Sequence, residues 1–320
     1  MRPFKIFLFL IISFNNFLVC AANTASETKQ PDGTLSQELD YKKTTTENHV
    51  IHILTIDPKL YRLELVKAHN GVFGRETVPE IALRKNAVAA VNAGFFEIGN
   101  SEDGRPSGNL IINGMILGLA KEPRSSLILD HDKLDIARIR GNIKITHGNN
   151  EIEINKVNQF VNDSNDVALY NSLWGLTTLT PYKRREFLIN SENIITQCFE
   201  HGDNYISNSG WILSLPLSYT TFPINVGDKV ILDINFEQEQ EQLYSKHPII
   251  NSVTGIPMLI NEGKIIAELE NFGSKSFSMN PHARTAIGFR ADGVIIILVA
   301  EHLYAQPLRE LNYRANARYA

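Results

Sequence analysis

Cysteine is nearly missing from this chain of 320 residues, which has only Cys20 and Cys198. That excludes a disulfide framework and a cysteine-built metal site. Cys198 falls in the strand-like run Ile194 to Phe199, so a buried apolar filler is expected there. Charge of one sign is also lacking. The net charge is −4 and the basic residues are scattered, which gives no electrostatic reason to expect nucleic acid. No stretch is apolar for the roughly 20 residues that span a bilayer. The apolar fraction of 43% and charged fraction of 21% exclude disorder over the whole length.

The first residues do carry a pattern. Arg2 and Lys5 precede the short apolar core Ile6 to Phe14, and Val19-Cys20-Ala21-Ala22 offers small residues for cleavage. This reads as a secretory signal over residues 1–22, with export to the periplasm or the medium and no stable membrane span after cleavage. An uncleaved anchor and a lipidated Cys20 are the alternatives. Val19 argues against lipidation, because such sites ask for a small residue before the cysteine. Residues 23–47 are polar, without apolar period, and read as a linker. The folded domain is expected over residues 48–305, with an atypical tail over 306–320.

Within the domain, alternation dominates. His49 to Ile56 and Tyr61 to Ala68 flank Asp57-Pro58-Lys59 and predict a hairpin. Thr77, Pro79 and Glu80 predict a capped helix ending near Asn86. Further strands are expected at Ala87 to Val91, Gly108 to Leu117 (turned at Asn113-Gly114), Ser126 to Asp130, Leu134 to Ile139, Ile143 to Thr146 and Ile152 to Ile154. Later ones are expected at Arg185 to Asn190, Ile194 to Glu200, Gly210 to Leu215, Lys229 to Phe236, Pro257 to Asn261, Ala283 to Arg290 and Val294 to Glu301. Short helices are expected near Glu239 to Ser245 and Leu308 to Tyr313. The fold class is α+β, with a large mixed or antiparallel sheet and few helices.

Four segments carry candidate chemistry. Ala89 to Glu97 is a small-residue strand ending in Asn92, Gly94 and the pair Phe95-Phe96. It offers a hydrogen-bonding amide, a sharp bend and one ring for the core with another for a cleft. A core strand with a bulge is the competing reading, and the one that the residues alone favour. Gly104 to Leu110 frames Pro106 and Gly108 in a tight turn, or is only a loop. Arg284 opens the apolar strand Arg284 to Phe289, where an unpaired charge is costly. It belongs at the strand mouth, facing an anion or a structural carboxylate. Val294 to His302 delivers Glu301 and His302 at a strand end, as a site or as a solvated edge.

In this order the four segments resemble the phosphodiester glycosidase family. Asn92 to Phe96 is similar to its Asn-(Gly/Ala)-Gly-Phe-Phe strand end, and Arg284-Thr285-Ala286-Ile287-Gly288 to its Arg-Thr-Ala-Ile-Gly signature. Pro106 and Gly108, the set Leu169, Tyr170, Trp174, Gly175, Thr178 and Glu186, and the run Gly255 to Gly263 fit as well. The resemblance implies hydrolysis of a sugar-phosphate diester at the anomeric carbon, without metal or cofactor. It implies catalytic roles for Glu301, Arg284 and Glu97. Arg284 would neutralise the leaving phosphate, and Glu301 or Glu97 would activate water or attack the sugar. Substrate contacts fall to Asn92, Gly94, Phe95, Phe96, Pro106, Gly108, Thr285 and His302. Many members have Asp-Gly-Arg where this chain has Glu301-His302. Members also continue into Leu-Asp-Gly-Gly-Gly-Ser, which Leu308 to Ala320 does not contain, so the site is expected to lack its last segment. The competing class is a non-catalytic module that binds glycan or envelope polymer, or an inactive relic.

Overall fold

The computed structural model describes residues 5–10, 18–23, 40–130, 133–238, 243–244, 248–266 and 282–302, with the backbone alone for 5–10, 18–23, 133 and 302. The strands begin with β1 (Lys5–Leu10), β2 (Leu18–Asn23), β3 (Asp40–Thr45), β4 (His49–Ile56), β5 (Tyr61–Val66), β6 (Ala89–Asn92), β7 (Leu110–Ile112) and β8 (Met115–Gly118). Then come β9 (Arg124–Asp130), β10 (Lys133–His147), β11 (Asn150–Ile154), β12 (Lys156–Val157), β13 (Ala168–Tyr170), β14 (Arg184–Ile189), β15 (Ile195–Phe199) and β16 (Trp211–Pro216). The last are β17 (Ile231–Glu237), β18 (Asn251–Thr254), β19 (Met258–Asn261), β20 (Lys264–Ile265), β21 (Arg284–Phe289) and β22 (Ile295–His302). Among the described residues the α-helical content is α1 (Val78–Arg84) alone. The fold is therefore nearly all β, and the helical half of the α+β expectation reduces to two turns. The helices expected near Glu239 to Ser245 and Leu308 to Tyr313 lie outside the described residues, apart from Leu243 and Tyr244, which are not helical.

α1 forms for the reason its sequence gives. Thr77 accepts from the Glu80 N–H, the Glu80 carboxylate accepts from the Thr77 N–H, and Pro79 stands in the first turn. The Asn113-Gly114 turn also matches its signal, with φ of 52° and 76° joining β7 to β8.

Four sheets result. The first runs β20-β19-β1-β21-β22-β4-β3, and all its pairs are antiparallel. The second runs β11-β10-β9-β18-β7-β8, with β17 also on β10. The third is β12-β13-β16-β14-β15 and the fourth β5-β2-β6. One core lies under the first sheet and gathers Ile56, Ile287, Phe289, Ile295 and Ile297 with Leu65, Leu127 and Trp174. Trp174 packs against Phe73, Phe160 and Tyr170 at ring distances of 4.7, 4.9 and 5.3 Å. A second core joins the second and third sheets through Ile111, Ile139, Ile145, Phe187 and Leu213.

Several expectations change. β4 and β5 form where alternation predicts, but they do not pair with each other. β4 is already flanked by β22 and β3, and β5 pairs with β2. The turn at Asp57, whose carbonyl accepts from Leu60 and Tyr61, hands the chain from one sheet to another. The two strands expected at Leu134 to Ile139 and Ile143 to Thr146 are one strand, β10, which pairs with β9 over its first half and with β17 and β11 over its second. β3 carries the first sheet into the segment read as linker, and β1 and β2 lie within the segment read as leader. Cys198 is exposed rather than buried, in a run of three exposed residues on β15, which is the edge strand of its sheet.

The third sheet encloses a buried carboxylate. Glu186 is fully buried and accepts from Thr178 Oγ1 (2.9 Å), Thr180 Oγ1 (2.7 Å), Asn204 N (3.1 Å) and Asn204 Nδ2 (2.8 Å). All four donors are neutral, and together they tie the loop after Trp174 to the loop after β15. Removing the acceptor strands these donors. Glu186→Ala should lower stability by about 3 kcal/mol or more in urea denaturation, and a loss below about 1 kcal/mol would show that the clamp carries little.

Candidate functional site

The site is built where β6 ends against the open end of β21 and β22. Asn92 is the last residue of β6, and its Oδ1 accepts from Thr285 Oγ1 at 3.2 Å. Thr285 is fully buried and pairs across to Val299, next but one to Glu301. Two expected site segments, almost 200 residues apart in sequence, therefore touch directly.

β-Sheet alternation assigns the faces. Cross-strand partners share a face, and Thr285 pairs with Val299 while Arg284 pairs with Ala300. Thr285, Val299 and Glu301 thus stand on the face that covers the core, and Arg284 stands on the opposite face. Arg284 is half-buried at the strand mouth, as expected, and burial lowers its pKa. For His302 only the backbone is described; it pairs with His49.

The core-side face bounds a cavity of about 440 Å³. Leu54, Ile297 and Val299 form one wall, residues Val88 to Val91 the other, and Glu301, His52 and Tyr41 supply the polar groups. Tyr41 Oη and His52 Nδ1 are 2.7 Å apart. Neither residue was among the expected site residues. Tyr41 had one signal: it is the only aromatic residue in the polar segment 23–47. His52 had none, because its place depends on the pairing of β4 with β22.

The aromatic turn lies to the side. Gly94 has φ of 74°, which bends the chain out of β6. Phe96 packs on the core and bridges to Pro106, while the Phe95 carbonyl accepts from the Ser107 N–H at 3.0 Å. Gly108 lies so close to β18 that a Cβ would stand 2.7 Å from the Thr254 side chain. Gly94, Phe95, Pro106 and Gly108 thus line a crevice of only about 10 Å³, too small for a sugar ring. Glu97 does not reach the cavity. Its backbone pairs with Arg105, and its carboxylate is 3.5 Å from the Arg105 guanidinium, which also meets Glu102 at 3.0 Å. Of the two expected carboxylates, only Glu301 faces open volume. Among the described residues no cluster of His, Cys, Asp and Glu converges as a metal site would. No described helix is long and apolar enough to cross a membrane.

The family model for phosphodiester glycosidases matches residues 189–319, a span that includes Arg284 to Gly288 and Glu301 but not Asn92. An uncharacterised protein of Rickettsia conorii is 38% identical over 234 residues, covering 72% of this chain and 81% of that protein. This chain belongs to the phosphodiester glycosidase family. Two crystal structures share the fold. One, from Burkholderia pseudomallei and described as an exported protein, gives a TM-score of 0.61 at 19% identity over 82% of this chain and 63% of its own. The other, from Synechocystis, gives 0.62 at 18% identity over 81% and 50%. The chain thus spans less than two thirds of either.

A buried lysine ties the loop before α1 to the turn at Asp103. Lys67 is almost fully buried, and its Nζ donates to the Gly74 carbonyl at 3.1 Å. Gly74 in turn donates to Asp103, and Arg75 pairs with Asp103 at 2.7 Å. Burial lowers the Lys67 pKa from 10.5 to about 8, against the attraction of Asp103 and Glu76. The folded chain therefore loses this proton before the unfolded chain does. Stability should rise with pH between about 8 and 10.5, by on the order of 3 kcal/mol. Urea midpoints measured across that window, compared with those of Lys67→Met, test this. Parallel trends in the two proteins would refute it.

Proposed function

We propose that this protein hydrolyses a sugar-phosphate diester at the anomeric carbon. The observation that carries the reading is the cavity itself: Glu301 lines it, and the bonded pair Asn92 and Thr285 stands beside two lining residues, Asn92 next in chain to Val91 and Thr285 across from Val299. The reaction adds water, breaks the bond from the anomeric carbon to the phosphate oxygen, and releases the sugar and a phosphate monoester. The leaving group departs as a stable anion, so it asks for charge neutralisation more than for a general acid. Glu301 is the carboxylate that activates water or attacks the sugar. Thr285 and Asn92 hold substrate oxygens. Arg284, first residue of its strand, supplies positive charge at the sheet end.

The test is turnover of a panel of glycosyl 1-phosphodiesters by purified protein. Glu301→Gln should lower kcat by about 100-fold or more, and Arg284→Ala by a similar factor. Glu97→Gln, outside the cavity, should stay near the parent rate. Full activity in Glu301→Gln would remove the assigned carboxylate.

Export belongs to the same reading. Arg2, Lys5 and the apolar core support it, and the Burkholderia protein of like fold is described as exported. Cleavage after Ala21 or Ala22 would remove β1 and nearly all of β2, so processing and completeness of two sheets are linked. A fusion of residues 1–47 to a reporter active only outside the cytoplasm should give signal. Reporter protein confined to the cytoplasm would exclude export by this segment.

A second reading, a glycan-binding module without catalysis, is favoured by one surface. Leu176, Leu179, Tyr182 and Tyr205 are all more than half exposed on the two loops that Glu186 clamps. Tyr182 lies parallel to His201 at 5.4 Å. Glycan binding that persists in Glu301→Gln with no turnover in the parent would select this reading.

A further inference from the structure

The cavity beside Glu301 holds more information about the substrate than the reaction requires. Its walls are aliphatic: Leu54, Val88, Val91, Ile297 and Val299. Among the described residues no lysine or arginine lines it. A phosphate placed inside would be an anion in an apolar enclosure without a counter-charge, which is strongly unfavourable. The cavity's polar lining is Tyr41, His52 and Glu301, and the other polar groups of the site stand outside it. Glu301 is exposed, Asn92 and Thr285 meet at the strand ends, and Arg284 is at the sheet mouth. The volume of about 440 Å³ lies in the usual range for small-molecule sites, roughly 300–1,000 Å³. Val88 is half exposed, so that side of the cavity is open to solvent.

We propose that this cavity binds an apolar chain esterified to the substrate's phosphate, which makes the substrate class a sugar phosphodiester with an alkyl or prenyl tail. This rests on the hydrolase reading above and specifies which diester it acts on. The sugar and phosphate stay with Glu301, Thr285 and Arg284, while the chain runs between the aliphatic residues Ile297 and Val299 of β22 and the small residues of β6. The tail is not altered by the reaction; it leaves with the phosphate as an alkyl phosphate monoester.

The experiment has two arms. In the first, N-acetylglucosamine 1-(alkyl phosphate) diesters from methyl to decyl are compared by kcat/KM. Each buried methylene should raise kcat/KM by roughly threefold to fourfold until the cavity is full. In the second, decyl phosphate and ethyl phosphate are titrated by calorimetry with no sugar present, and only decyl phosphate should bind. Val88→Trp and Val299→Phe narrow the cavity from its rim and its wall. Both should remove the chain-length dependence and the decyl phosphate binding, with the melting temperature near the parent value. Flat kcat/KM along the series, with no decyl phosphate binding, overturns the tail site and leaves the hydrolase reading intact. Decyl phosphate binding that Val88→Trp and Val299→Phe abolish, without turnover of any diester, upholds the apolar site and defeats the hydrolase reading instead. Binding unchanged in both variants places the alkyl chain elsewhere and overturns the proposal.

Discussion

The arrangement of the site depends on the register of β22 between β21 and β4. β22 is an inner strand, so its backbone donors and acceptors are satisfied on both edges. It is not the exposed apolar edge that a sheet ending at this strand would present. That register decides which residues meet. With Thr285 opposite Val299 and Val50 opposite Glu301, the acid falls on the core-side face with the cavity. A slip of one residue would turn Ala300 toward the cavity and Glu301 away from it. The pattern Ile295, Ile297 and Val299 on one face, packed over Leu54, resists such a slip, because it would remove these side chains from the core.

The remaining architecture fixes polar groups with neutral partners. Glu186 has its four donors, and Asn109 spans β9 and β10 through Ser126 Oγ and the Ile139 carbonyl while accepting from Ala120. Asn158 and Asn171 both donate to the Ile116 carbonyl and so join the second and third sheets. Each such group is costly if left without partners and specific when satisfied. These residues hold the sheets in position. That includes Tyr170, Trp174, Thr178 and Glu186, members of the family-like set, all of which are buried.

β1 and β2 bear on both folding and export. β1 joins β19 to β21, and β2 joins β5 to β6. The residues that read as an export leader are thus also the residues that complete two sheets. Loss of these strands would open the edge of β21, whose first residues are Arg284 and Thr285, and the edge of β6, which ends in Asn92. The candidate site lies at both of those edges, so its geometry depends on whatever strand lies alongside.

The sequence alone determined the local facts. Alternation marked most strands, and Thr77 with Glu80 fixed the one α-helix among the described residues. Asn113-Gly114 fixed a tight hairpin, and Asn92, Arg284 and Glu301 each stood at a strand end, because each of these depends on residues a few positions apart. Other features were decided only by long-range pairing. β4 does not pair with its neighbour in sequence, β10 is one strand with different partners along its length, and β18 gave no alternation of its own. Asn92 meets Thr285 across the fold, Arg284 and Glu301 take opposite faces, and Tyr41 and His52 reach the cavity mouth. The reason is the period of a strand. It tells which residues share a face, but not which face turns inward or which strand lies beside it, and those are settled when the sheets close over a common core.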